Sequence, residues 1–166
     1  MVAIHEIAEF TIWHALFRLE ARHWHDVDFN GGRTVHELYL SDGLLSVGAN
    51  RFEGAEGVKR FYEWRRGRRE TVTRHVMSNL IVLDREGPRA RMGGLVTVYR
   101  ARVGMTMGEG NTPALIADLT SDCVRDGDGA WRYASHVLDP VFIGNDLPPS
   151  LAIDPRFLAT PMGEHA

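Results

Sequence analysis

Between residues 4 and 27 the inward-type positions fall three and four apart. Ile4, Ile7, Ala8, Thr11, Ile12, Ala15, Leu16, Leu19 and His23 line up, while Glu6, Glu9, Arg18 and Arg22 lie largely elsewhere. A period near 3.6 predicts a long amphipathic helix from about Ile4 to about Val27. It should stop near Asn30-Gly31-Gly32, because glycine accepts the backbone turn that ends a helix. A short second helix is expected over Arg33–Tyr39, closed by Ser41-Asp42-Gly43, and then a strand over Leu44–Ala49. Gly54-Ala55-Glu56-Gly57 opens a third helix whose apolar stripe is Val58, Phe61 and Tyr62.

From Thr71 onward the period changes to two. Thr71–Leu83 and Arg89–Arg102 read as long strands joined by hairpin chemistry at Asp84-Arg85-Glu86-Gly87-Pro88. Ala114–Arg125 and Ala130–Leu138 form a second pair, turning at Asp126-Gly127-Asp128-Gly129. Helices first and an antiparallel meander afterwards define the α+β class rather than a doubly wound α/β fold. The expected organisation is one domain over residues 1–142. The proline-bearing stretch 143–166 is a tail lying on the surface or on a neighbouring subunit.

Composition narrows the class without naming a function. A chain of 166 residues, 44% hydrophobic, is long enough to bury a core unaided. A formal net charge of −3 gives no general attraction to nucleic acid or to an anionic membrane. The single Cys123 provides no internal disulfide and fits a reducing compartment. The N-terminal run lacks the pattern of a signal peptide, and no stretch approaches the ~18 apolar residues of a membrane helix. The expectation is a cytoplasmic protein with neither nucleic acid nor membrane as partner.

Strand parity then selects candidate chemistry. On Thr71–Leu83 the residues Thr73, His75, Met77, Asn79, Ile81 and Leu83 share a face, since successive side chains alternate. His75 is thus expected on the concave side beside Met77 and Asn79, a shielded setting that shifts a pKa and favours proton transfer. A carboxylate at the end of the long helix, Asp26 or Asp28, is placed to fix its tautomer. The bland alternative is a satisfied interior histidine beside a helix-terminating aspartate.

Several fragments, taken in order, resemble the SnoaL-like branch of the NTF2-like superfamily. They are Val27-Asp28, Gly31-Gly32-Arg33, Glu37-Leu38-Tyr39 and Asp42-Gly43, followed by Gly54-x-Glu56-Gly57-Val58. Thr73-Arg74-His75-Val76-x-Ser78-Asn79 and Asp128-Gly129-x-Trp131-Arg132 complete the series, which spans roughly Ile4 to Phe142. The resemblance implies a cone of N-terminal helices packed on a strongly curved, mainly antiparallel sheet. Within the superfamily the arrangement is similar to scytalone dehydratase and hexachlorocyclohexane dehydrochlorinase, which use an Asp–His pair with histidine as base. Asp28 and His75 stand in the matching slots. The dehydrochlorinase has cations where this chain has His23 and His136, so the resemblance implies an oxygen leaving group or a carbonyl rather than a halide.

On this basis the expected function is a cofactor-independent lyase or isomerase of dehydratase, elimination or cyclase type. Asp28 and His75 would move a proton on a small, mostly apolar, cyclic substrate lined by His23, Trp24, Met77 and His136. The alternative is a non-catalytic scaffold or small-ligand carrier like the β subunits of ring-hydroxylating dioxygenases. No metal, flavin or nicotinamide is expected: His23-Trp24-His25 points its imidazoles to different helix faces, and no phosphate-binding turn is present. Gly104, Gly108 and Gly110 read as a loop that gates the pocket. Arg65-Arg66-Gly67-Arg68-Arg69 reads as a solvated helix end. A homo-oligomer, dimer or trimer, is expected, with Trp131, Tyr133 and Val137 supplying part of an apolar outer face.

Overall fold

The computed structural model describes residues 2–67, 71–103 and 112–144. The long helix α1 (Val2–Asn30) is followed by a 3₁₀ turn (Val35–Leu38), strands β1 (Tyr39–Val47) and β2 (Asn50–Glu53), and helix α2 (Gly54–Arg66). Four strands follow: β3 (Thr71–Glu86), β4 (Arg89–Arg102), β5 (Leu115–Arg125) and β6 (Trp131–Ile143). They form one curved six-stranded sheet in the order β2-β1-β6-β5-β4-β3. Every pairing is antiparallel except β1 with β6. The α+β architecture is therefore the one the periodicities predict. Two details differ. Tyr39 already belongs to β1 rather than closing a helix, and the short hairpin to β2 carries too few residues to show a period. Ile143, the first residue of the expected tail 143–166, still belongs to β6; the tail from residue 145 on and the glycine loop at 104–111 lie outside the described residues.

The two helices cover the concave face. α1 buries Leu16, Leu19, Trp24 and Val27 against Leu45, Met92, Val96, Leu119, Tyr133 and Leu138 of the sheet. Its predicted stripe does not continue inward at the N-terminal end, where Ile7 and Phe10 are exposed. A 29-residue helix spans about 44 Å at 1.5 Å per residue, longer than the core beneath it. Asp26 organises the exit from α1: its carboxylate accepts from the Thr34 N–H and hydroxyl, both at 2.9 Å, and from the Asn30 amide at 2.7 Å. This removes Asp26 from contention as a partner for His75.

Two bulges change which side chains face inward. In β3, Ser78 pairs with Leu95 but Ile81 pairs with Gly93, so three steps on one strand match two on the other. Asn79 takes the extra residue in the left-handed region, at φ 54°. Thr73, His75 and Met77 lie on the inner side as parity predicts, but beyond the bulge Leu80 and Val82 turn inward. Asn79, Ile81 and Leu83 therefore leave the face they were expected to share with His75. Leu80 enters because Gly94 opposite has no side chain; a Cβ there would sit 2.6 Å from a Leu80 methyl. The Trp13 indole N–H donates to the Leu80 carbonyl at 2.9 Å and ties α1 to the bulge. Asparagine tolerates this backbone better than a branched residue does. Asn79→Gly should leave stability nearly unchanged, whereas Asn79→Val should cost about 1–2 kcal/mol in urea unfolding.

The second bulge lies in β6, where Asp122 pairs with Ser135 but Cys123 pairs with Tyr133, leaving Ala134 unmatched. Tyr133 before it and His136 after it both point into the core, each with no exposed surface. Tyr133 therefore belongs to the core and not to an outer face shared with Val137. Exposed apolar side chains occur instead on the outer side of β3, at Val72, Val76, Ile81 and Leu83.

Candidate active site

The end of α1 and the inner side of β3 meet at Asp28 and His75. Asp28 Oδ1 lies 2.6 Å from His75 Nδ1, and Asp28 Oδ2 accepts the His75 backbone N–H at 2.7 Å. Thr73, two residues earlier on the same strand face, donates its hydroxyl to Asp28 Oδ1 at 3.2 Å. The Arg65 guanidinium donates in turn to the Thr73 hydroxyl at 3.1 Å. Helix α2 thus braces the aspartate through threonine. Only 6% of the His75 side chain and 4% of the Asp28 side chain are exposed. The Trp24 indole lies flat on the imidazole, ring centres 4.3 Å apart and planes 17° from parallel. Met77 follows on the same strand face, partly buried against the core.

The electrostatics set the protonation states. Burial alone would raise the Asp28 carboxyl, but the His75 ring contact, its charge and backbone N–H, and the Thr73 hydroxyl hold it below the ordinary carboxylate value. His75 is pushed below the usual imidazole value, first by burial; the hydrogen bond and charge of Asp28 oppose the shift only in part. At neutral pH the pair is a carboxylate and a neutral imidazole. Nδ1–H is committed to Asp28, which leaves the Nε2 lone pair free to accept a proton.

A second polar cluster lies deeper. Glu20, His23 and His136 are completely buried, a rare condition for charged and imidazole side chains. Glu20 accepts the Ser121 hydroxyl at 3.0 Å on Oε1 and the Trp24 indole N–H at 3.0 Å on Oε2. His136 Nε2 approaches Glu20 Oε1 to 3.3 Å, an ion-pair distance whose angle falls short of a hydrogen bond. His136 Nδ1 meets the Tyr39 hydroxyl at 2.9 Å. Tyr39 and Tyr62 flank His23, one hydroxyl 3.4 Å from each ring nitrogen. Burial holds His23 well below its ordinary value, helped by the charges of His136, His75 and Arg65. Trp24 joins the two clusters, with its ring on His75 and its N–H on Glu20.

Strand and helix patterns give no warning of Tyr39 or Tyr62 as polar participants: Tyr62 reads as a member of an apolar stripe and Tyr39 as the last residue of a short helix. Glu20 did carry a signal. It sits four residues from both Leu16 and Trp24 on the buried side of α1, where an acid needs a partner. The basic run also changes character. Arg65 braces Thr73, and Arg66 donates to the Gly31 carbonyl at 3.0 Å, so these two arginines pin the end of α2 to the site rather than extend into solvent. Among the described residues no three His, Cys, Asp or Glu side chains gather as a metal-binding set. An open groove of about 530 Å³ between β2 and α2, lined by Phe52, Arg60, Phe61 and Trp64 among others, contains none of the cluster residues.

Two helices on a curved, mostly antiparallel open sheet, with ionisable residues on its concave face, define a protein of the NTF2-like class. The family model of the SnoaL-like domain matches residues 14–136, and the chain belongs to that family. No curated protein sequence matches the chain. Solved structures similar to it include a candidate scytalone dehydratase from Novosphingobium aromaticivorans, 17% identical with TM-score 0.68, covering 86% of this chain and 96% of that one. ActVI-ORFA from Streptomyces coelicolor is 10% identical with TM-score 0.68, covering 79% of this chain and 98% of that one. A Catenulispora acidiphila protein in complex with S-DNPA is 19% identical with TM-score 0.66, covering 78% and 93%. At these identities the likeness concerns the fold.

Proposed function

We propose that the protein is a cofactor-independent lyase or isomerase that moves a proton on a small, mostly apolar, cyclic substrate. The observation that carries this reading is the 2.6 Å contact between Asp28 and His75, buried and capped by Trp24. His75 Nε2 takes a proton from carbon. The electron pair released forms a carbon–carbon double bond as the carbon–oxygen bond breaks, and the departing hydroxyl gains a proton and leaves as water. In an isomerisation the same pair of electrons moves onto a carbonyl oxygen and returns with a proton at another carbon. Asp28 fixes the ring and stabilises the imidazolium, the part a carboxylate plays beside any histidine base. His23, Trp24, Met77 and His136 are the proposed substrate contacts; Trp24 lies against His75, and His23 and His136 lie against Trp24. His23 and His136, uncharged or protonated, suit an oxygen function better than a halide.

The test is proton exchange, which does not require the natural leaving group to be known. The protein is incubated in D₂O with a panel of hydroxylated cyclic ketones, and deuterium incorporation at the carbon beside the carbonyl is read by NMR. Exchange that disappears in His75→Ala supports the reading. No exchange with any member, together with obligate co-purification with a larger Rieske-type chain, would replace it with the scaffold alternative.

The pH profile has a definite sign. The base works only when neutral, and His75 loses its proton at lower pH than an ordinary imidazole. The rate kcat/KM should therefore rise through an acid limb lying below the usual imidazole range and stay flat through neutrality. In Asp28→Asn the opposing effect of the carboxylate is gone, so the residual activity should show its acid limb at still lower pH. A limb that moves upward in this variant would contradict the assignment.

A further inference from the structure

The deep cluster contains a carboxylate that the proposed reaction does not use. Both Glu20 oxygens face donors: the Trp24 indole N–H can only donate, and the Ser121 hydroxyl is directed at Oε1. The groups around it hold the Glu20 carboxyl below its ordinary value, toward the ionised form. An ionised one, fully buried, requires a compensating charge within reach. The single group at ion-pair distance among the described residues is His136, 3.3 Å from Oε1.

We propose that Glu20 holds His136 as an imidazolium, forming a second carboxylate–imidazole pair that stores the proton opposite the one His75 removes. Two histidines in one site would then rest in opposite protonation states, with His75 as base and His136 as acid. Separation of that kind is how one pocket performs acid and base steps together. The groups facing His136 come from four elements. From α1 come Glu20 and His23, the latter with ring centres 4.5 Å away. From β1 the Tyr39 hydroxyl meets Nδ1, from β5 Ser121 shares Glu20, and from β6 Tyr133 stacks at 4.6 Å. The Arg65 charge reaches the neighbouring His23 and His75 and opposes a second cation here, so Glu20 is the one group among the described residues that favours the imidazolium. Glu20 is itself held below the ordinary carboxylate value: burial would raise it, but the His136 charge and contact together with the Ser121 and Tyr133 hydroxyls outweigh that.

The Tyr39 hydroxyl stands between His136 Nδ1, at 2.9 Å, and His23 Nδ1, at 3.4 Å, so the His136 Nδ1–H donates to the tyrosine oxygen. Glu20 is thus a positioning residue that acts through His136. Catalytic use of the stored proton rests on the acid–base reading above, but the ion pair does not.

The decisive measurement is long-range ¹H–¹⁵N correlation NMR on the protein labelled with ¹⁵N-histidine. The His136 signals are identified by their loss in His136→Gln. Near neutral pH, His136 should carry protons on both ring nitrogens while His75 carries one, on Nδ1. In Glu20→Gln the His136 ring should carry a single proton under the same conditions. A singly protonated His136 in the unaltered protein overturns the proposal, and that result does not depend on any variant folding. So does a doubly protonated His136 that Glu20→Gln leaves unchanged. Either outcome leaves the Asp28–His75 reading standing, whereas full deuterium exchange by His75→Ala would remove that reading and leave the ion pair intact.

Discussion

Replacing His75 by alanine is expected to lower turnover by about 10²–10⁴-fold while the protein keeps its fold. The imidazole is the proposed proton acceptor, and among the described residues no other imidazole lies 2.6 Å from a carboxylate. Asp28→Asn should produce a loss of the same order for a different reason. The amide keeps the size of the carboxylate, and its oxygen can still accept the His75 backbone N–H. Its NH₂ group would then face Nδ1 as a donor. That selects the tautomer with the proton on Nε2, the nitrogen that must be free to act. The double variant should be little worse than either single one, because both residues serve one proton transfer. Steady-state kinetics with matched circular dichroism check the result. Losses that multiply would mean the two residues act separately, and near-full activity in either variant would move the chemistry elsewhere in the cluster.

Gly32→Ala is expected to be the most damaging small substitution at the site. Gly32 has φ 70°, where an L residue is strained by about 1–2 kcal/mol. An added Cβ would also fall 2.4 Å from Cδ1 and 2.5 Å from Cγ of Tyr62, so the ring must move. Overpacking of this kind costs about 1–3 kcal/mol, and the two effects together predict a loss of about 2–5 kcal/mol. Two controls separate them. Gly87→Ala meets nothing within 4 Å but shares the left-handed backbone, at φ 54°, so it should show the strain alone. Gly127→Ala meets nothing within 4 Å and has no such backbone, so it should change little. Equal urea midpoints for the Gly32 and Gly87 variants would show that Tyr62 gives way freely. Displacing Tyr62 should in addition disturb His23, whose Nε2 it meets at 3.4 Å.

The periodicities of this chain are strong enough to define its class unaided. A 3.6-residue repeat cannot be satisfied in a strand, nor a two-residue repeat in a helix, so two helices and four of the six strands are written into the order of apolar positions. The inward placement of His75 is likewise legible, because β3 is regular from Thr71 to Met77. The fragments resembling SnoaL-like proteins supplied Asp28 as the partner, since helix periodicity alone left Asp26 equally eligible.

Tertiary structure decided the rest, and the reasons are local. Parity holds only while every residue is paired, and one unmatched residue reverses it. Asn79 does this in β3, which sends Ile81 and Leu83 outward. Ala134 does it in β6, which brings Tyr133 and His136 to the same interior. Asp26 was removed by contacts with Thr34 and Asn30 that depend on how the chain leaves α1. Arg65 and Arg66 became braces because α2 ends beside β3 and Gly31, a proximity that no spacing along the chain encodes. Glu20 went unread in the sequence although it lies on the buried side of α1, and its partner stands 116 positions away on a bulged strand. Only packing can say which charge meets a buried carboxylate, because the cost of burying it is set by what stands a few ångströms away and not by its neighbours in sequence.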